Sequence, residues 1–221
     1  MPHVQKNAKV SKKKPFSKKK GKGKPESSST TSDIHSNVNI YYKPFTIPVS
    51  GDIPSILLIG EGDLSFSAEL CDVLFKGNDS KDKDFKDQGP IHITSYDKSH
   101  KDLLTKYPKS YQSSISKLNK HIINANKNIS IYHNVDATKL TSTSPIDRPL
   151  TGYNKVIFMF PHSGQQRVHV NRGLLSDFFD SVRSVLNVEK GVVYVTLTNG
   201  RPYVDWKIVE CAEEHGFVKI R

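Results

Sequence analysis

One stretch constrains this chain more than any other: Ile56-Leu57-Leu58-Ile59-Gly60-Glu61-Gly62-Asp63-Leu64-Ser65-Phe66. Its apolar opening, Ile56 to Ile59, is short and stopped by glycine, which reads as a buried strand. Gly60 and Gly62, one residue apart, form a tight turn. Leu64 to Phe75 then follows with helical spacing, Leu64, Ala68, Cys71 and Phe75 sharing one face suited to packing on a sheet. Strand, glycine turn and helix together open a nucleotide-binding βαβ unit, where small residues let a ligand approach the backbone. The turn lacks the full G-x-G-x-x-G of dinucleotide binders and the Gly-Lys-Ser/Thr ending of a phosphate loop. An acidic turn suits a cationic or hydroxyl-bearing ligand better than a pyrophosphate. S-adenosylmethionine, with a sulfonium, an amino group and a ribose, fits that description. The candidate contacts are Gly60, Glu61, Gly62, Asp63, Leu64, Ser65 and Phe66; a plain structural turn is the alternative on these residues alone.

The rest of the chain repeats the strand–helix alternation. Residues 76–90 form a charged insertion, expected as a mobile surface loop. Ile91 to Tyr96 reads as a second strand stopping at Asp97, a position where nucleotide-binding folds hold ribose hydroxyls. Capping the next helix, Ser99 to Tyr107, is the other role open to Asp97. A helix over Ser110–Asn126 and a third strand over Ile129–Val135 follow, with Asp136 and Ala137 just past the strand. Lys155 to Phe160 is a fourth strand, apolar from Val156 onward, running into Pro161 and His162. Gly173–Leu186 gives a helix with Leu174, Leu175, Phe178, Phe179 and Val182 inward. Gly191–Leu197 gives a fifth strand, Trp206–His215 a helix, and Gly216–Ile220 the start of a sixth strand. The prediction is an α/β fold with a doubly wound, mostly parallel sheet. Gly60–Asp63, Asp97, Asp136 and Phe160–His162 all follow strand ends, where such sheets bind ligands.

The net charge of +11 is unevenly placed. Ten lysines precede the first acid, Glu26, so the rest of the chain carries about +1. Residues 1–50 are poor in apolar side chains and are expected to be disordered, leaving 51–221 as the folded domain. Lys12, Lys13, Lys14, Lys18, Lys19 and Lys20 suit a nuclear or nucleolar address and a non-specific RNA contact, or a solubilising tail. Cys71 and Cys211 lie in apolar helical contexts and read as buried thiols, with no metal site expected. No apolar run approaches a membrane span and no signal-peptide core is present, so a soluble, intracellular protein is expected; a monomer is also expected.

Five blocks in order carry a resemblance: Leu58 to Ser67, Val135-Asp136-Ala137-Thr138, Phe160-Pro161-His162-Ser163-Gly164, Asn171-Arg172-Gly173-Leu174-Leu175, and Thr196 to Tyr203. Over about residues 54–221 the chain resembles the Rossmann-like fungal 25S ribosomal RNA uridine-N3 methyltransferase family. Ser163 stands where that pattern would have a small apolar residue. A methyltransferase sheet usually closes with a seventh, antiparallel strand, for which no sequence remains here. The resemblance implies an S-adenosylmethionine-dependent enzyme acting on ribosomal RNA in the pre-ribosomal particle, in the nucleolus. Methylating uridine N3 removes a weakly acidic imide proton, and His162 is the nearby side chain of a type that titrates near neutral pH. Its other reading is a hydrogen bond to its own loop. Phe160 or Phe66 could stack on the base or on adenine, or belong to the core. Arg172 could bind phosphate or pair with an acid. N3 lies on the pairing edge, so the uridine must be unpaired or flipped out. A non-catalytic RNA-binding assembly factor is the alternative reading, and a nicotinamide-dependent oxidoreductase is disfavoured by the short glycine motif.

Overall fold

The computed structural model of the chain describes residues 53–75, 89–124, 128–141 and 145–220. The lysine-rich tail and all but the last two residues of the 76–90 insertion lie outside the described residues. Five strands form one sheet: β1 (Ile56–Ile59), β2 (Ile91–Thr94), β3 (Ile129–Tyr132), β4 (Lys155–Met159) and β5 (Val192–Thr196). They run in the order β3-β2-β1-β4-β5, and each neighbouring pair is parallel. The expected doubly wound, parallel α/β sheet is thus present. Every residue of β1 and β2 is buried; β1 accordingly reads as a continuous apolar run, whereas β2 alternates apolar with polar residues although both its faces are covered.

The two faces of β1 divide the core by the period-two rule of strands. Ile56 and Leu58 join one cluster with Ala68, Cys71 and Phe75 of α1 (Ser65–Phe75) and with Leu118 of α3 (Pro108–Asn124). Leu57 and Ile59 join the other with Leu175, Phe178, Phe179 and Val182 of α4 (Val168–Val182). Cys211 of α5 (Ile208–Glu214) and Trp206 belong to this second cluster. The short α2 (His100–Lys106) is capped by Ser99, whose hydroxyl accepts from the Asp102 amide at 3.3 Å. Two polar groups inside the sheet are satisfied internally. Thr94 Oγ1 donates to the Leu58 carbonyl at 2.9 Å, and His92 Nδ1 lies 2.6 Å from the Tyr153 hydroxyl. Burial pushes the His92 imidazole down and the Tyr153 phenol up.

Three expectations are corrected. Residues 217–220 form no strand: Gly216, in the left-handed region at φ +80, ends α5, and the Phe217 amide folds back on the Ala212 carbonyl at 3.1 Å. Val218 and Ile220 are left 84% and 68% exposed. Helix α4 starts at Val168, upstream of Gly173, and Leu174 is only half-buried. The Trp206–His215 helix is in fact a 3₁₀ turn, Tyr203–Trp206, broken from α5 by Lys207 at φ +54. Among the described residues no helix is long and apolar enough to cross a membrane.

Candidate functional site

From β1 the sheet is wound outward in both directions, through β2 on one side and β4 on the other. The carboxyl ends of β1 and β4 therefore flank the switch point, where such sheets open a crevice. A cleft of about 480 Å³ lies there. One wall is the turn and first helical residues after β1, Gly60–Asp63, Ser65, Phe66 and Glu69. Met159 and Phe160 come from the end of β4, and Tyr107 from the end of α2. Its volume and mixed lining are those of a small-molecule site. A smaller hollow, about 330 Å³, lies along α3 between Gln112 and Ile123 and draws on that helix alone.

The two glycines serve different purposes. Gly60 is at φ +66, and a Cβ there would lie 2.8 Å from Cε2 of Phe158 in β4. The fold itself requires it. A Cβ on Gly62 would meet Tyr107 alone, its hydroxyl at 3.4 Å and its ring carbons at 3.6 Å, so this glycine keeps the cleft open. The acids of the turn are engaged internally. Glu61, 6% exposed, accepts from the Ser67 amide at 3.1 Å and the Ser67 hydroxyl at 2.8 Å, fixing the turn to α1. Burial pushes its carboxyl above the usual range despite those bonds. Asp63 accepts from the Ser65 amide at 3.1 Å; partial burial pushes it up, but hydrogen bonds from Ser65 and Ser110 outweigh that and hold it low. Leu64 is fully buried at φ +59, its side chain in the core and not in the cleft.

Asp97, Asp136 and Ala137 do not line the cleft. Asp97 receives Lys106 Nζ at 3.3 Å on both oxygens and leaves the capping of α2 to Ser99. Lys106 Nζ lies 5.2 Å from the ring centre of Tyr107, which links Asp97 to the cleft at one remove. Asp136 caps the 3₁₀ turn Ala137–Lys139, accepting from the Thr138 amide at 2.9 Å and hydroxyl at 2.7 Å. Partial burial pushes Asp136 up, yet the Thr138 bonds and Lys139 hold it low. Ala137 is buried in the core.

The loop after β4 presents Phe160, 58% exposed at φ +50, a conformation rare for a bulky side chain. Its amide donates to the Thr196 carbonyl at 2.9 Å. Pro161 is buried and His162 exposed. The Gly164 amide donates to His162 Nδ1 at 2.8 Å, and the imidazole centre lies 5.7 Å from the ring of buried Trp206. With Nδ1 accepting, the neutral ring carries its proton on Nε2. Arg172, in α4, makes no ion pair with an acid among the described residues. Phe66 lines the cleft while packing on the first core cluster. Glu69, Tyr107 and Met159 carry no motif and were not foreseen. Tyr107 could have been suggested only by its place at the end of the helix that follows β2.

Charge is divided along this edge. Glu61, Asp63, Glu69 and Asp97 lie on the β1–β2 side, whereas residues 160–176 contain no acid and carry Arg167 and Arg172. Aromatic faces from Phe66, Tyr107 and Phe160, with carboxylates nearby, fit a ligand that combines a planar base with a cation. S-adenosylmethionine is such a ligand. No group of side chains that could hold a metal ion occurs among the described residues.

The chain is 22% identical to the 25S rRNA (uridine(2634)-N(3))-methyltransferase of Saccharomyces cerevisiae, over 76% of this chain and 61% of that protein. It is 27% identical to a mouse ferredoxin-fold anticodon-binding domain-containing protein 1 homolog, over 74% of this chain and 24% of that one. The heavy metal-associated isoprenylated plant protein 41 of Arabidopsis thaliana is 29% identical, over 75% of this chain and 29% of its own length. The chain thus spans between about a quarter and three fifths of these relatives. Residues 57–221, which include every strand but the first residue of β1, match the family described as rRNA (uridine-N3-)-methyltransferase, BMT5-like, and the chain belongs to that family.

Proposed function

We infer that this protein transfers a methyl group from S-adenosylmethionine to N3 of an unpaired uridine in large-subunit (25S) ribosomal RNA. The observation that carries the reading is the cleft at the β1–β4 switch point, where the open Gly62 turn faces an exposed Phe160. When bound, the cofactor supplies an electrophilic methyl group. Gly62, Asp63, Phe66 and Tyr107 would hold it on the acidic side of the cleft, with Asp97 acting through Lys106. Phe160 would hold the uracil ring by stacking, and the acid-free rim beyond it, with Arg167 and Arg172, would face the RNA backbone. His162 meets the base with Nε2–H. In that tautomer it donates to a uracil carbonyl oxygen and stabilises the charge that builds up as the imide proton leaves for water. It can accept that proton only after its bond from Gly164 breaks. Residues 1–24, with their ten lysines, would add non-specific RNA affinity and direct the protein to the nucleolus, its site of action in ribosome assembly.

The test has two steps on the full chain. Calorimetric titration should show S-adenosylmethionine binding, and incubation with unmodified large-subunit RNA should then yield 3-methyluridine on nucleoside analysis. RNA binding without cofactor binding would replace this reading with that of a non-catalytic assembly factor.

A further inference from the structure

Asn171 lies inside α4, where asparagine is a poor helix former, and it is 1% exposed. A buried primary amide has two acceptor and two donor positions to satisfy, and here all four are met. Oδ1 accepts from the Ser163 amide and from the Ser163 hydroxyl, each at 2.9 Å. Nδ2 donates to the Gln165 carbonyl at 2.7 Å and to the Arg167 carbonyl at 3.1 Å. The Ser163 hydroxyl in turn accepts from the Gln165 amide at 3.2 Å. One side chain therefore clamps three residues of the seven-residue run, Pro161–Arg167, that joins Phe160 to α4. At the other end, Phe160 is tied to Thr196 through its amide. Arg167, the residue before α4, gives the helix no side-chain cap, so the Asn171 amide holds this junction instead. Ser163 is a chosen partner here: its hydroxyl both donates to Asn171 and receives Gln165, bonds that an apolar residue could not make.

The geometry points to Asn171 as a positioning residue for methyl transfer, acting through Ser163, Gln165 and Arg167 to fix Phe160 and His162 over the cleft. This inference rests on the methyltransferase reading above. Asn171 touches neither base nor cofactor in it; its effect is on where the loop stands. A displacement of the order of an ångström in such a loop can cost about 10²-fold in turnover.

The experiment compares the full chain with Asn171→Ala, Asn171→Asp and Ser163→Ala. Asn171→Asp keeps the acceptor half of the clamp and aims an oxygen at the Gln165 and Arg167 carbonyls. Ser163→Ala removes one hydroxyl from a half-exposed site and leaves the helix intact. Turnover at saturating RNA and cofactor should fall about 10- to 100-fold in both Asn171 variants, and less in Ser163→Ala. The dissociation constant for S-adenosylmethionine, which is held across the cleft from this loop, should stay within about twofold. Amide hydrogen exchange without substrate should speed up over residues 161–167 while β4 stays protected. A merely structural role predicts a different pattern, in which stability and cofactor binding fall together with turnover. Two results overturn the inference: full turnover in variants whose loop exchanges freely, or unfolding of both Asn171 variants with Ser163→Ala at wild-type turnover. If the wild-type protein transfers no methyl group, the functional reading fails instead, and loop exchange alone still decides whether Asn171 is the clamp.

Discussion

Replacing the two glycines of the β1 turn one at a time should separate folding from ligand binding. Gly60→Ala puts a side chain at φ +66, which costs an L-residue roughly 1–2 kcal/mol. Its Cβ also meets the Phe158 ring at 2.8 Å. That ring is 6% exposed and packs edge-on against Phe178 with centroids 5.0 Å apart, so it has little room to withdraw. Overpacking of this kind adds about 1–3 kcal/mol, for a total loss of about 2–5 kcal/mol. Against a domain stability of roughly 5–15 kcal/mol this is a large fraction, and the urea midpoint should drop sharply at unchanged slope. Gly62→Ala meets only the Tyr107 side chain, no closer than 3.4 Å, an ordinary contact, and should stay within about 0.5 kcal/mol of wild type. The added methyl stands in the cleft, however, and should weaken S-adenosylmethionine about tenfold, or roughly 1.4 kcal/mol, in a calorimetric titration. Equal stability losses in the two variants, or a Gly60→Ala protein as stable as wild type, would refute the division of roles.

Glu61→Gln should raise the melting temperature at pH 7 and leave it nearly unchanged at pH 4. The buried carboxyl holds its proton to higher pH than the unfolded chain's value of 4.5, so its contribution fades as pH rises, while glutamine still accepts from Ser67. Burial lowers His92, so the unfolded chain binds a proton first, and stability should fall as pH drops below 6.5. One such group gives a slope of up to about 1.4 kcal/mol per pH unit, His133 adds in the same sense, and urea melts of His92→Gln should show a flatter profile. His162→Ala should cut turnover about 10²–10³-fold with cofactor affinity unchanged, His162→Gln less, and higher pH should partly restore both as the imide ionises unaided. Wild-type turnover in His162→Ala at neutral pH would leave the ring as a loop support only.

β1 and β4 were legible because burial on both faces writes them as apolar runs, β2 and β3 by their alternation of β-branched with polar residues, and the carboxyl-edge residues followed from that. Residues 217–220 misled because β-prone residues say nothing of whether a neighbouring strand is there to pair. The start of α4 was hidden by Val168 and Val170, which favour strands, and by Gly173. Asp97 and Asp136 were placed correctly past their strands, but their partners, Lys106 at the end of α2 and Thr138 in the 3₁₀ turn, are set by how the chain turns beyond each strand. Glu61 shows the limit most plainly. An acid between two glycines looks aimed at a ligand, and only the fold reveals Ser67 beneath it. The lining of the cleft by Tyr107, Glu69 and Met159 arises from three separate elements that meet only after the sheet is wound.

Phe160 has a consequence for anyone altering this protein. An exposed benzyl side chain at φ +50 is a position where glycine would relax the backbone at little loss of packing. Screens that reward heat resistance or expression yield would therefore favour Phe160→Gly and advance it as an improvement. The variant so obtained would keep its sheet and gain in yield while losing the surface on which a base can stack. Selection for robustness and selection for methyl transfer pull this one residue in opposite directions, so its identity in a laboratory-evolved population reports which pressure was applied.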